Sequence, residues 1–206
     1  MLGIKEIERR EIEIIRAQGF SDEVSELLKE KAKEILKEED RELVFYTDGS
    51  LSKKKGIGRK GDMGVGWLAL DRIESRIVSI GNFKVVNWPM STKAELIGIW
   101  IVILTAKCNS TVRVRTDSEQ AIEMILRARN NEQYSRWIRM DNRLVLEKIT
   151  SLTKQKGLKL VLEKVKGHSE DRWNNEVDLI AKEGRSSQTV LDLEDCKSDN
   201  TEYNIK

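Results

Sequence analysis

The hydrophobic and polar positions of the chain fall into three regions with different patterns. Residues 1–40 carry apolar side chains at helical spacing in two stretches, separated by Gly19 and the helix-start sequence Ser21-Asp22-Glu23. Residues 41–185 alternate between strand-like and helix-like patterns, whereas residues 186–206 are polar with more acidic than basic side chains. We therefore predict an N-terminal helical hairpin, a main domain and a mostly disordered acidic tail, in this order.

The main domain begins with three predicted strands, at residues 43–47, 63–70 and 76–84. Residues 94–106 are apolar on nearly every side and predict a buried central helix. A strand, two helices, a strand and a helix are then predicted at residues 111–116, 120–129, 142–154, 158–165 and 174–183. This order predicts an α/β fold with a five-stranded mixed sheet flanked by helices.

Composition narrows the environment and the classes of function. Lys and Arg number 37 against 35 Asp and Glu, so nucleic-acid binding would depend on local basic patches. Two cysteines make no disulfide framework, which favours a reducing compartment. The start of the chain lacks the apolar core of a signal peptide, and the apolar run at residues 96–106 is shorter than the roughly 20 residues that cross a membrane. We expect an intracellular protein of the cytoplasm or nucleus, without membrane contact.

Four carboxylates occupy unusual settings for surface acids. Asp48 and Asp117 each follow a predicted strand, Glu95 interrupts the apolar central helix, and Asp178 lies in the closing helix. Carboxylates in such places are costly unless a positive group pairs with them. Two divalent metal ions would do so, and two metals held by carboxylates are suited to phosphodiester hydrolysis.

Each of these acids also has an interpretation without a metal. Asp48 could be a turn residue before glycine, and Glu95 a partly exposed residue of the first helical turn. Asp117 could cap the helix that follows it, and Asp178 could be an ordinary solvated helix residue. His168, the only histidine, could likewise be incidental, although the acids that follow it would raise its pKa.

Five short motifs in order resemble the ribonuclease H family. They are Tyr46-Thr47-Asp48-Gly49-Ser50, Ser91-Thr92-Lys93-Ala94-Glu95-Leu96, Arg115-Thr116-Asp117-Ser118, Val165-Lys166-Gly167-His168 and the stretch from Asn174 to Ala181. Each motif alone is weak, but their order and spacing fit the family from about residue 43 to about residue 184. The resemblance implies the ribonuclease H-like fold, preceded here by the helical hairpin.

The resemblance also implies roles for individual residues. Asp48, Glu95, Asp117 and Asp178 would be catalytic and would bind two Mg²⁺ ions, for which Mn²⁺ could substitute. His168 would assist proton transfer or product release. Contacts to substrate would come from Gly49, Ser50, Ser91, Ser118, Glu119 and Asn174. A basic, aromatic-bearing stretch suits a DNA strand or is simply solvated; its members are Arg127, Arg129, Arg136, Trp137, Arg139 and Arg143.

The implied function is an endoribonuclease that hydrolyses the RNA strand of RNA–DNA hybrids. The short form of the second motif is more similar to retroelement ribonuclease H domains of eukaryotes, which would make the chain part of a reverse transcriptase. A catalytically silent binding or scaffolding domain of the same fold is the main alternative, and a transposase or exonuclease of the superfamily is another. The four carboxylates favour an enzyme. The apolar stripes of residues 1–40 would pack on the main domain, on a second copy or on a partner protein.

Overall fold

The computed structural model describes residues 4–38, 41–52, 61–87, 89–130, 142–167 and 171–196. Within them, the strands of the sheet are β1 (Leu43–Leu51), β2 (Met63–Asp71), β3 (Arg76–Val86), β4 (Thr111–Thr116), β5 (Lys159–Lys164) and β6 (Val190–Asp192). Their order across the sheet is β5-β4-β1-β2-β3-β6. The five predicted strands are all present, and β6 is a sixth.

The pairing of the strands makes the sheet mixed, as predicted. Strands β1, β2 and β3 form an antiparallel meander, while β4 and β5 extend the sheet from β1 in parallel and β6 pairs in parallel with β3. Strand β2 is buried at every position because helices cover both faces of the sheet. The parallel pairing of β1 and β4 brings their carboxyl ends to the same edge, where two of the predicted acids lie.

Helices cover the two faces of the sheet unequally. The described helices are α1 (Ile4–Arg16), α2 (Asp22–Leu36), α3 (Ser91–Thr105), α4 (Glu119–Arg129), α5 (Arg143–Gln155) and α6 (Arg172–Gly184). Helices α1 to α5 share the larger hydrophobic core, with α3 buried at every residue after Ser91. Helix α6 covers the opposite face over a smaller apolar cluster that includes Val44, Leu68 and Val177.

Glycine in β2 sets how closely α6 approaches the sheet. A Cβ atom at Gly66 would lie 2.5 Å from the backbone nitrogen of Ala181, a distance that no side chain tolerates. The helix backbone therefore rests directly on the strand backbone. This contact fixes the height of α6 above the sheet, and α6 carries Asp178.

The predicted helical hairpin is present and packs on the main domain of the same chain. Ser21 caps α2, where its hydroxyl accepts a hydrogen bond from the backbone N–H of Val24 at 3.4 Å. Ile15 and Leu28 are fully buried in the larger core. Phe20, between the two helices, lies with its ring centroid 5.2 Å from that of Trp100 in α3. The main domain thus covers the apolar stripes that the sequence left unassigned.

The prediction of disorder from residue 186 onward is wrong for residues 186–196. This segment includes β6, which pairs with β3, and it buries Leu191, Leu193 and Cys196 in the larger core. The average polarity of the tail concealed an alternating pair of leucines, which is a strand pattern. Thr189 also donates a hydrogen bond to Glu23 of α2 at 3.0 Å, so this segment contacts the hairpin. Residues 197–206 lie outside the described residues.

The structure shows the state of the two cysteines and the character of the described helices. Cys108 and Cys196 are both free and buried, and burial raises the pKa of their thiols to about 11 and about 12. Neither thiol is therefore ionised at neutral pH. Within the described ranges, no helix combines the length and the apolar character that crossing a membrane requires.

Candidate active site

Asp48 lies inside β1, near the carboxyl end of that strand. It is paired across the sheet with Gly66 of β2 and is 8% exposed. Because side chains alternate along a strand, Asp48 points to the same face as Val44 and Tyr46, which belong to the cluster under α6. The strand continues to Leu51, so the interpretation of Asp48 as a turn residue is wrong.

Glu95 reaches Asp48 because α3 crosses β1 at a glycine. A Cβ atom at Gly49 would lie 2.6 Å from both the Cβ of Ala94 and the backbone nitrogen of Glu95. This close approach sets the carboxyl group of Glu95 against that of Asp48, and the two groups share a hydrogen bond. Glu95 is 6% exposed, so it is not a partly exposed residue of the first turn.

Asp117 follows β4 and joins the same edge of the sheet. The cap of α4 is Ser118, whose hydroxyl accepts from the backbone N–H of Ala121 at 3.3 Å, so Asp117 is not needed as a cap. One carboxylate oxygen from each of Asp48, Glu95 and Asp117 lies within 4.8 Å of the others. We call these three residues the acidic cluster.

Asp178 stands beside the acidic cluster rather than within it. Its carboxylate forms an ion pair with Lys182, one turn later on α6, with Nζ and Oδ2 2.5 Å apart. Its negative charge nevertheless contributes to raising the pKa of Asp48. Asn174, one turn before Asp178, is 4% exposed. Asn174 and Asp178 both belong to α6, as the sequence predicted.

The acidic cluster does not ionise like surface acids. Burial raises the pKa of Asp48 to about 7, with further contributions from the charges of Asp117 and Asp178. Burial and the neighbouring Asp48 and Asp117 charges hold the pKa of Glu95 well above its usual range. The N–H of Gly49 partly offsets both shifts by donating to the carboxyl groups. A hydrogen bond between two carboxyl groups requires a proton on one of them, so Asp48 and Glu95 share a proton in this arrangement.

The residues of the acidic cluster fit a hard divalent cation. All of their donor atoms are carboxylate oxygens, which Mg²⁺ and Mn²⁺ accept. Glu95 Oε2 is buried without a hydrogen-bond partner in the described part of the chain. An unpaired buried oxygen is costly, and a cation at this place would satisfy it and lower the pKa of both carboxyl groups.

The other predicted site residues lie around the acidic cluster in varied settings. Ser50 is nearly buried, Ser91 is the exposed first residue of α3, and Glu119 is ion-paired with Lys164. Gly167 borders the cluster, since a Cβ atom there would lie 2.7 Å from Asp117 Oδ2. His168 lies outside the described residues.

The predicted basic stretch is described only at its two ends. Arg127 and Arg143 form ion pairs with Glu123 and Glu147 within their own helices, and Arg129 donates to the backbone oxygen of Leu160. Arg136, Trp137 and Arg139 lie outside the described residues. The described arginines therefore resemble a solvated helix face more than a free cationic surface.

Two features of the site were missed by sequence reasoning. Thr92 donates to Gln120 at 2.6 Å, which joins the first turns of α3 and α4, next to two of the acids. Asp171 caps α6, which therefore begins at Arg172, before the predicted start at residue 174. The preference of helix starts for Asp was a signal that could have revealed this cap.

Comparison with known proteins finds a family model and solved structures that resemble this chain. A family model described as RNase H matches residues 40–186. The chain is similar to the protease–reverse transcriptase of prototype foamy virus, with a TM-score of 0.60 and 18% identity over 72% of this chain and 21% of that one. It thus spans about a fifth of that viral protein. No curated protein sequence matches the chain significantly.

Two isolated domains are also similar in structure. The RNase H domain of prototype foamy virus in solution has a TM-score of 0.58 and 18% identity, over 71% of this chain and 95% of that one. The N-terminal RNase H domain of Rv2228c from Mycobacterium tuberculosis, fused to maltose-binding protein, has a TM-score of 0.53 and 16% identity with the same coverage. At these identities the likeness shows a shared fold.

Proposed function

The chain belongs to the RNase H family, and we propose that it is an endoribonuclease that hydrolyses the RNA strand of RNA–DNA hybrids. The observation that carries this proposal is the acidic cluster, in which three separate elements bring carboxylate oxygens within 4.8 Å of one another. A related viral protease–reverse transcriptase has been solved in complex with an RNA/DNA hybrid. That complex supports the choice of substrate for this chain.

The acidic cluster and Asp178 would hold two Mg²⁺ ions, or Mn²⁺ in their place. Two such ions would activate a water for attack on the scissile phosphate and stabilise the leaving 3′-oxygen. Asp48 shares a hydrogen bond with Glu95 and feels the charges of both Asp117 and Asp178, so it would be suited to bind both ions. Because burial raises the pKa of Asp48 to about 7 and holds the pKa of Glu95 above its usual range, binding of the ions at neutral pH would be accompanied by proton release.

Other residues would position the substrate and move protons. Gly49 and Ser50 offer backbone groups at the sheet edge, and Ser91 offers an exposed hydroxyl at the start of α3, which suits contacts to ribose 2′-hydroxyls. Ser118, Glu119 and Asn174 would complete the contacts around the RNA strand. His168 directly follows Gly167, which borders Asp117, and would assist proton transfer without being indispensable.

The motif at Ser91 to Leu96 leads us to assign the chain to a retroelement reverse transcriptase. The similarity to viral reverse transcriptases supports this assignment, and self-association or a partner protein would then involve residues 1–40. The activity test uses a labelled RNA–DNA hybrid, single-stranded RNA and duplex DNA, each with Mg²⁺ and with chelator. We expect internal cuts in the RNA of the hybrid only, and only with Mg²⁺. If the wild-type chain and Asp48→Asn both bind the hybrid equally well and neither cuts it, that result would favour the silent scaffolding domain.

A further inference from the structure

The carboxylate of Asp171 joins the start of α6 to β1. Its Oδ1 accepts hydrogen bonds from the backbone N–H groups of Trp173 at 3.0 Å and Asn174 at 3.1 Å, which caps the helix. Its Oδ2 accepts from the hydroxyl of Tyr46 at 3.4 Å. One side chain therefore fixes both the first turn of α6 and its placement over the sheet.

Tyr46 is held firmly enough to serve as an anchor. It is 2% exposed, and its hydroxyl accepts a hydrogen bond from Arg115 Nη1 at 2.7 Å. The guanidinium of Arg115 also lies 5.5 Å from the centre of the tyrosine ring. Since the hydroxyl accepts from Arg115, its own hydrogen is free to point towards Asp171. We call this contact the Tyr46–Asp171 link.

Arg115 in turn is fixed by the neighbouring strand. Its Nε donates to Glu163 Oε2 of β5 at 2.9 Å, and Arg113 is paired with the other oxygen of Glu163. Both arginines are therefore engaged in ion pairs on the face of the sheet. Arg115, held by Glu163, keeps the tyrosine hydroxyl in place.

The Tyr46–Asp171 link lies on the route from the sheet to Asp178. Tyr46 is two residues before Asp48 and on the same face of β1. Asp171 precedes Asp178 by two helical turns, about 10 Å along the helix axis. At its other end, α6 is fixed by the contact of Ala181 with Gly66. Asp178 therefore lies on a helix segment that is held at both ends, and Tyr46 supplies one of the two supports.

We propose that Tyr46 and Asp171 are positioning residues that hold the first half of α6 so that Asp178 faces Asp48. This inference rests on the proposed function, because it matters only if Asp178 completes the metal centre with the acidic cluster. Tyr46→Phe removes one hydroxyl and leaves the ring, the strand and the cap of α6 in place. Loss of a residue that orients a metal ligand typically costs 10- to 100-fold in metal affinity, so we expect roughly a 10-fold loss.

The test is a double-mutant cycle read out as Mn²⁺ affinity by calorimetry, which does not depend on cleavage. Wild type, Tyr46→Phe, Asp178→Asn and the double variant are titrated after removal of bound metal. If Tyr46 acts through α6, its substitution weakens Mn²⁺ binding in the wild type but has no further effect once Asp178 is replaced. An equal loss in both backgrounds would mean that Tyr46 acts through β1 and Asp48, and would overturn the proposal, as would no loss at all.

Control variants separate positioning from general stability. Ser21→Ala removes the cap of α2, far from the acidic cluster. It should lower the melting temperature about as much as Tyr46→Phe does and leave Mn²⁺ affinity unchanged. Asp171→Ala should reproduce the Mn²⁺ defect of Tyr46→Phe, and normal affinity in Asp171→Ala would overturn the proposal. A wild-type chain that binds Mn²⁺ but leaves hybrids intact would remove the proposed function, while the cycle would still decide the positioning role. A wild-type chain that binds no Mn²⁺ would overturn both.

Discussion

The ammonium nitrogen of Lys156 lies 2.6 Å from Oε2 of Glu11, and neither side chain has any exposed surface. Lys156 also donates to the backbone oxygen of Leu104 at 2.7 Å, and Glu11 accepts from the backbone N–H of Cys108 at 2.6 Å. Burial lowers the pKa of Lys156, and the charge of Glu11 opposes that shift. This ion pair therefore joins the hairpin to the end of α5 and to the loop after α3, inside the protein.

Replacing Glu11 by alanine should destabilise the whole protein. The substitution leaves the ammonium of Lys156 buried without its partner, and breaking a buried pair in this way typically costs about 3–5 kcal/mol. The measurement is the free energy of unfolding in urea. Glu13→Ala is the matched control, because Glu13 lies on the same helix in an exposed ion pair with Arg9 and should change stability by less than about 1 kcal/mol.

The same pair bears on whether residues 1–40 can be removed. Truncation would leave Lys156 unpaired and would expose the core that Ile15 and Leu28 now cover. We expect the truncated chain to lose cooperative unfolding rather than to remain a folded domain of altered association. A truncated chain with the melting temperature of the intact protein would show that the pair contributes little.

Three carboxylate-to-amide substitutions should each abolish cleavage and leave the fold intact. Asp48→Asn, Glu95→Gln and Asp117→Asn replace a charged ligand by a neutral group of the same shape, which divalent cations bind poorly. We expect a loss of at least about 10²-fold, more than residues that only support ligands usually cause. Hydrolysis of labelled hybrid is measured beside Glu30→Gln, an exposed acid on α2 that should behave as wild type. Near-normal activity in any of the three would exclude that residue from the metal centre.

The raised pKa of Asp48 predicts how the metal-free protein responds to pH. The folded pKa is about 7 and the ordinary value is 3.8, so the folded state binds the proton more tightly than the unfolded state. The contribution of the Asp48 carboxyl to the free energy of unfolding is therefore fully present below about pH 4 and is lost as the pH rises through about 7. Asp48→Asn cannot ionise, so between pH 5 and pH 8 the wild type should lose on the order of 2–3 kcal/mol more stability than the variant.

The measurement for that prediction is thermal unfolding in chelator at pH 5 and pH 8. Asp48→Asn should gain stability relative to wild type between the two pH values, and Mg²⁺ should restore the wild type at pH 8 because it binds only the folded state. Equal pH dependence of the two proteins would mean that Asp48 is ionised normally in the folded state.

The acidic cluster could be predicted because each acid breaks a local pattern that the backbone imposes. Asp48 comes after the apolar run of residues 43–47, and Asp117 comes after the alternating strand sequence of residues 111–116; parallel strands bring such positions to one edge. The pair of Glu11 and Lys156 joins positions far apart in the sequence, and no periodicity reports such a partner. Glu11 does, however, fall on the apolar stripe of α1, where an acid is a signal of a buried partner.

His168→Ala should lower turnover without eliminating it. An auxiliary proton-transfer group contributes roughly 10²-fold, and the carboxylates would still bind metal and substrate in its absence. Turnover of hybrid is measured from pH 6 to pH 9, with Mn²⁺ affinity as the control for the metal centre. Unchanged turnover at every pH would mean that His168 is structural. A complete loss of activity with intact Mn²⁺ affinity would make it essential instead.

Replacing Mg²⁺ by Ca²⁺ should preserve hybrid binding and suppress cleavage. Both ions accept carboxylate oxygens, so Asp48, Glu95 and Asp117 can bind either one. Ca²⁺ is larger and takes 6–8 ligands at looser distances, whereas Mg²⁺ enforces octahedral geometry at about 2.1 Å. In-line attack on a phosphate requires the water and the leaving oxygen to be held within a narrow range of positions, and a small misplacement can lower the rate about 10²-fold.

Titration of hybrid binding and of cleavage in each ion separates a nuclease from a scaffold, which would bind in both ions and cut in neither. Efficient cleavage in Ca²⁺ alone or in excess chelator would contradict the roles proposed for the acidic cluster and Asp178.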